Sequence, residues 1–424
     1  MDLFPKGVVL PFQKGNAPHN NIENFQVQEA VRVPLTRLDI DTPVATLPFD
    51  ENAPIIRGSV LYSEEGELPV LAPVSGRFGG TVVLQHPQYG KLLCAELIPA
   101  EDDREETLPV IPAEELTAED IIRIAREAAI YDELDGIPLV EKLIGWQLPP
   151  NDTVAPTCVL AADATENDVF GSAAWAILAE EAEDALSGLQ LAAKALHFTR
   201  YHIATMLPKA KRRTLYRTIG RINVYTVEDE YPVTQYADDR DEVFRIGIQA
   251  CVALAKAVKH GQKALSVVIT VAGDGVLGSH NLRVPYGADI SDIMQQYNAN
   301  AAADIVLGDA MTGIACPDIR TPLLPGTTTL LAMKPRSARV AQPCIGCGRC
   351  AAVCHAKLLP YEIVRRAENM HYERLRRLTA NLCDGCGACS YVCPSDRDVA
   401  AAVLHAGEST GPVFLNWGDD DNEQ

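Results

Sequence analysis

Of twelve cysteines in the chain, eight fall between Cys344 and Cys393, and their spacing constrains this sequence more than any other feature. Cys344, Cys347, Cys350 and Cys354 form C-x2-C-x2-C-x3-C, and Cys383, Cys386, Cys389 and Cys393 repeat it. The other four, Cys94, Cys158, Cys251 and Cys316, are scattered. Disulfide scaffolds belong to small exported chains that cannot build a core. This chain has 424 residues, and its start, MDLFPKGVVLPFQKG, lacks the charged region and continuous apolar stretch of a secretory signal. The clustered thiols are therefore read as metal ligands.

Three thiolates spaced by two residues can wrap one cubane in a tight loop, with the fourth cysteine past the turn and facing away. Each thiolate must give up its proton, and an iron–sulfur core compensates that charge. Zinc is the rival metal, satisfied by two C-x2-C pairs. Nothing about zinc requires the third cysteine or the x3 step, repeated twice, so the reading is two [4Fe–4S] clusters, with other iron–sulfur forms and structural zinc as alternatives. Gly346 and Gly348 sit in the first loop, and Gly385 and Gly387 in the second. Small residues there permit close backbone approach and let amides point toward sulfur.

The double run resembles that of dicluster ferredoxins, where the fourth cysteine of one run ligates the cluster held by the other. That resemblance implies one cluster on Cys344, Cys347, Cys350 and Cys393, and a second on Cys383, Cys386, Cys389 and Cys354. Between the runs, residues 358–382 carry apolar residues at helical spacing, so the cluster domain is expected to be largely helical. From Lys334 to Arg377 there are ten Lys or Arg against three Glu, which either compensates cluster charge or docks an acidic partner. Ferredoxin runs end in Cys-Pro, as at Pro394, but His355 follows Cys354. It is expected to be a solvent-facing loop residue, the alternative being a donor to a cluster sulfur.

A formal net charge of −20 argues against nucleic acid as a partner. The longest apolar run, Ile246–Val258, is broken by Gln249 and Lys256 and too short to span a membrane. The chain is expected to be cytoplasmic, at most peripheral to the membrane. Residues 30–104 read as short strands: VRVPL, PVATLPF, SVLY, PVLAP, GRFGGTVVL and KLLCAEL. LAPVSGRFGGTVV at 71–83 resembles the half-barrel of lipoyl and biotinyl carriers, but its tip has no lysine, so a structural module is expected. Thr117 with Asp120 predicts a capped helix start. Helical spacing marks Ala173–Ala195 and Val243–Val258, and strands are expected at CVLAAD, 158–163, and INVYTV, 222–227. Residues 264–297 suggest a β-grasp module: a strand into Gly273-Asp274-Gly275, a strand at Leu282–Val284 and a helix from near Ile290. Asp274 is read as a turn residue and Cys316 as packing. His260 and His280 carry no assigned role. Asp419–Asp421 read as a solvated tail.

The fold class expected is multidomain α/β. Its boundaries are a barrel-sandwich-like domain at 1–104, an α/β core at 105–262, a β-grasp domain and linker at 263–335, a 2x[4Fe–4S] ferredoxin domain at 336–405 and a tail at 406–424. This module order resembles the RnfC family, the peripheral subunit of Rnf electron-transport complexes, whose β-grasp is of the kind called SLBB. VITVAGDGV at 268–276, RVPYGADISDIM at 283–294, GDAMTGIACP at 308–317 and both cysteine runs carry the resemblance. It implies a complex I flavoprotein-like core and electron relay to a redox protein partner, a Rnf-like membrane complex or a soluble carrier.

Family members that oxidise NADH carry a G-x-G-G-A-G-F-P loop whose amides meet phosphate. Here the matching place, AIYDELDGIPLVEKL at 129–143, keeps only Gly136, with Asp132, Glu133 and Asp135 around it. The Glu-Cys-Glu-Pro segment is replaced by residues 162–168, and Gly-Gly-Glu-Lys is missing before Tyr231-Pro232. FMN and NADH are therefore not expected to bind in the family's manner. The alternatives are an NADH-dependent flavin and iron–sulfur reductase subunit, and a cluster-bearing structural or sensing protein without turnover.

Overall fold

A computed structural model describes residues 7–14, 21–37, 47–64, 66–100, 104–146, 158–238, 241–337, 340–369, 375 and 377–410. The chain divides into two compact units. One comprises Met1–Pro11, Asp229–Thr234 and Arg336–Gln424, and the other Phe12–Glu228 and Gln235–Pro335.

Three sheets organise the larger unit. Alternating burial along Val31–Thr36 and Gly76–His86 leaves one face of an antiparallel sheet to pack inward. Its order is Val31–Arg37, Gly90–Pro99, Gly76–His86, Pro54–Ile55. Val31, Val33, Leu61, Phe78 and Leu97 form its core. Residues 47–49 of the expected PVATLPF strand are not a strand, and its first four residues lie outside the described ones.

The second sheet is parallel: Val224–Thr226, Tyr201–Thr205, Cys158–Ala164 and Glu242–Gly247, in that order. Near-continuous apolar runs such as CVLAADA suit a parallel strand buried on both faces. Helices Ala118–Glu127, Ala182–Leu196 and Ile248–His260 contribute to the core it shares. Thr117 and Asp120 make the expected reciprocal capping bonds. Helix Ala182–Leu196 meets Ile248–His260 where a side chain at Gly188 would collide with the Cys251 carbonyl, so close packing accounts for glycine at 188.

Both helical runs expected in this unit divide in two. Ala173–Ala195 is two helices, Ala173–Glu180 and Ala182–Leu196, parted at Glu181. The Glu181 carboxylate there pairs with Lys256 and, at 2.9 Å, with Arg283. Val243–Val258 is two elements, the strand Glu242–Gly247 and the helix Ile248–His260, since a short apolar run does not tell strand from helix by period alone.

The third sheet runs Ile22–Asn24, His280–Pro285, Ser266–Ala272, Thr329–Met333, Asp304–Leu307, Ile314–Ala315. Ser266–Ala272 pairs antiparallel with His280–Pro285 and parallel with Thr329–Met333, and helix Ile290–Gln296 connects the two halves. Asp274 accepts from the Lys334 amide at 2.7 Å, and Cys316 is buried with its thiol on the Asp318 carbonyl.

The smaller unit is built as a repeat. Short helix Arg349–Ala352 follows Gly348, and Ala388–Tyr391 follows Gly387. A longer helix comes next in each half, Pro360–Glu368 and Val399–Thr410. Lys357 and Asp396 adopt left-handed conformations at matching positions. Of the helix expected over 358–382, only Pro360–Glu368 and the single turn Ala380–Leu382 are defined as helix beyond one residue. Residues 370–374 and 376 lie outside those described. Leu358, Ile363, Val364, Leu375, Val399 and Val403 form the core, with Cys350, Cys354, Cys383, Cys389 and Cys393 packed in or against it. Among the described residues, no helix is long and apolar enough to cross a membrane.

Candidate iron–sulfur centre

Each cysteine run bends through two left-handed glycines. Gly346 and Gly348 have φ of 69° and 73°, and Gly385 and Gly387 have 75° and 79°. An L-residue is disfavoured there. A side chain at Gly346 or Gly348 would meet no protein atom, so conformation rather than crowding by protein accounts for glycine at these two positions. The bend turns amides inward, and the Gly346 N–H donates to Cys344 Sγ at 3.4 Å.

Cross-run contacts bring Cys393 to the first run. The Gln342 amide donates to the Ser395 carbonyl at 2.8 Å, and the Ser395 hydroxyl donates to the Pro343 carbonyl at 3.1 Å. The residues after Cys393 are thereby tied to those before Cys344. Cys344, Cys347, Cys350 and Cys393 line one cavity of about 310 Å3, with Tyr361 and Val364 on its wall. On the other side of the repeat, burial pushes the Cys389 thiol up to about 12, with Cys386, Cys383 and Cys354 adding to it. Cys383 is raised by burial and, more weakly, by Cys354. Cys354 therefore lies in the electrostatic reach of the second run.

The chemistry of this donor set fits an iron–sulfur core. Burial also raises Cys350 and takes Cys386 up to about 11. Thiols so placed resist ionising next to one another, and a cationic core supplies the missing compensation.

Three contacts had no signal in the sequence. The Tyr231 hydroxyl donates to the Cys386 carbonyl at 2.6 Å, and Val8 and Tyr231 exchange backbone hydrogen bonds, so two distant segments back the second loop. His355 is neither a free loop residue nor shown donating to sulfur: its Nε2 pairs with Asp384 at 2.9 Å, and Cys386 lies close to both. Burial pushes the Asp384 carboxyl up, but the Cys386 amide and His355 together hold it below its ordinary value. Among the interrun arginines, Arg365 and Arg366 pair with Glu362, so these two are engaged within their own helix.

In the segment 129–143, Asp132 and Glu133 are turned inward. Asp132 accepts from the Gly247 amide at 3.0 Å and from Lys142 Nζ at 2.7 Å. Glu133 accepts from the Gln249 and Ala250 amides at 2.6 and 3.1 Å. The free amides that open helix Ile248–His260 are thus taken by carboxylates of the chain itself.

Residues 343–397, which hold both cysteine runs, match the 4Fe-4S dicluster domain family. The chain is 28% identical over 212 residues to the C subunit of the ion-translocating oxidoreductase complex of Rhodobacter capsulatus, covering 44% of this chain and 41% of that one. It is 24% identical over 357 residues to the protein of that name in Vibrio cholerae, covering 76% and 45%. To the C subunit of the Na(+)-translocating ferredoxin:NAD(+) oxidoreductase complex of Acetobacterium woodii it is 23% identical over 406 residues, covering 88% of each. The chain thus spans less than half the length of the first two relatives.

Proposed function

We propose that the chain relays electrons through two [4Fe–4S] clusters, between a partner redox protein and a membrane complex or soluble carrier, without a nucleotide site of its own. The observation that carries this reading is the cavity shared by Cys344, Cys347, Cys350 and Cys393, with Cys354 beside Cys383 and Cys389. When bound, each cluster supplies one-electron chemistry. The protein's part is to hold eight thiolates, aim amides at them and bring the two sites together in one small core. The carrier-like sheet and the β-grasp module, in the SLBB reading, serve as scaffold.

Absence of NADH and FMN binding is supported by Asp132 and Glu133, whose carboxyl groups already occupy the Gly247, Gln249 and Ala250 amides at the start of helix Ile248–His260 that a pyrophosphate would need. The experiment takes the purified, reconstituted protein. Iron and sulfide content should report two clusters, and Cys393→Ser should remove or convert the one held by the first run while sparing the other in the EPR spectrum. NADH should leave the cluster absorption unchanged. Rapid bleaching by NADH would favour the reductase-subunit reading instead.

A further inference from the structure

Between Asp184 and Glu228 the chain has no Asp or Glu and eight Lys or Arg, although acids outnumber cations 57 to 37 over its whole length. Six of those cations, Lys209, Lys211, Arg212, Arg213, Arg217 and Arg221, lie on helix Lys209–Ile219 and the turn Arg221–Asn223 that follows it. Leu215 and Ile219 bury one side of the helix. Lys209, Arg213 and Arg217 stand four residues apart on the opposite, exposed side. Beyond Gly220, whose φ of 81° ends the helix, Arg221 and the 90% exposed Ile222 continue the face. This arrangement works against the helix that carries it. Like charges at i and i+4 repel, cations in a first turn oppose the helix dipole, and neither an acid nor a side-chain cap answers them there. Elsewhere the chain pairs its helical cations: Arg123 with Asp120 and Glu127, Lys259 with Asp184, Arg365 and Arg366 with Glu362. Lys209, Arg213, Arg217 and Arg221 have no acidic partner among the described residues.

We infer that this face docks directly on an anionic phospholipid bilayer, with its cations at the headgroup phosphates and Ile222 entering the interface. The residues between the exposed cations, Ala210, Thr214 and Thr218, are short, so nothing bulky keeps the row from a flat surface. No exposed residue from 209 to 222 is aromatic, as a single-stranded nucleic acid would use for stacking. Ile222 is the one large apolar side chain exposed there, too little for the core of a protein interface. A headgroup layer needs neither. It takes a row of cations, here spread over about 12 Å from Lys209 to Arg217, with an aliphatic side chain at its end. The formal charge of −20 does not forbid the contact, because charges beyond a Debye length, about 8 Å at physiological salt, are screened. It turns this face, and not an acidic one, toward the lipid. The inference goes beyond the relay proposed above and bears on its acceptor: of a membrane complex and a soluble carrier, the first is the one served by a chain held at the bilayer.

The probe is unilamellar vesicles, of phosphatidylcholine alone or with about 30% phosphatidylglycerol, sedimented with the reconstituted full chain. The wild type should bind the anionic vesicles at low salt, leave them as salt rises to about 0.5 M, and stay off the neutral ones. Arg213→Glu should weaken binding about tenfold or more, and Ile222→Asp about threefold or more. Leu277→Asp, at an 87% exposed position between strands Ser266–Ala272 and His280–Pro285, should change it less than about twofold. Arg213→Glu sets an acid four residues from both Lys209 and Arg217, so its urea midpoint should equal or exceed that of the wild type, which separates lost binding from lost folding. No binding of the wild type to anionic vesicles, equal binding to neutral ones, or undiminished binding by Arg213→Glu overturns the inference. So does capture of single-stranded DNA in preference to vesicles, lost in Arg213→Glu. Iron content and EPR report the two clusters separately, so a failure of the relay is told apart from a failure to bind lipid.

Discussion

Glu133 lies inside the larger unit, where loss of water and then the neighbouring Asp132 carboxylate push its pKa up to about 8, against the pull of the Gln249 and Ala250 amides. An ordinary glutamic acid titrates near 4.5. Between those values the folded chain keeps a proton that the unfolded chain has released. Stability contributed by the protonated group is therefore whole below about 4.5 and declines as pH rises toward about 8. Asp132 is raised by burial too, although Lys142 opposes the shift, so it adds to the same trend. The urea midpoint of the larger unit should fall as pH rises through this window, and Glu133→Gln, which cannot ionise, should flatten the dependence. Equal slopes for the two proteins would show that another group governs it.

At the scale of elements, local rules were the legible ones. Thr117 and Asp120 stand three residues apart, and both capping bonds form as read, with the Asp120 amide 3.1 Å from the Thr117 hydroxyl. Thr117→Ala should cost about 1 kcal/mol, seen as a lower urea midpoint of the larger unit without a change of slope. The loop glycines were legible for the same reason, because conformation is set within a few residues, although protein crowding at Gly346 and Gly348 was not the cause. What the sequence hid is non-local. Glu181 parts two helices through cations at Lys256 and Arg283 that lie far along the chain. Tyr231 reaches Cys386 across 155 positions. The acids around Gly136 were visible as a barrier to phosphate, but not that Asp132 and Glu133 fold in upon backbone amides. An acid's partner cannot be told from its neighbours in sequence when that partner is a main-chain N–H group.

Across the whole molecule, the two units depend on different forces. The larger unit has an extended aliphatic core that includes Leu139, Leu160, Ile177, Leu189 and Ile203, and no cofactor is needed to explain its packing. The smaller unit has a short core in which cysteines take the place of aliphatic side chains: Cys389 is part of it, and Cys350, Cys354, Cys383 and Cys393 pack against it. On the two-cluster reading, those thiols without iron are polar groups gathered in a core too small to hold by apolar burial alone. Removing iron with a chelator under reducing conditions should therefore abolish one calorimetric transition and leave the other in place. The loss of far-UV signal should match the helices Pro360–Glu368 and Val399–Thr410, with the parallel sheet intact. Restoring iron and sulfide should bring the transition back. Two transitions in the iron-free protein would mean that the smaller unit holds its fold through Ile363, Leu375 and Val403 alone, and that the clusters serve transfer without serving stability.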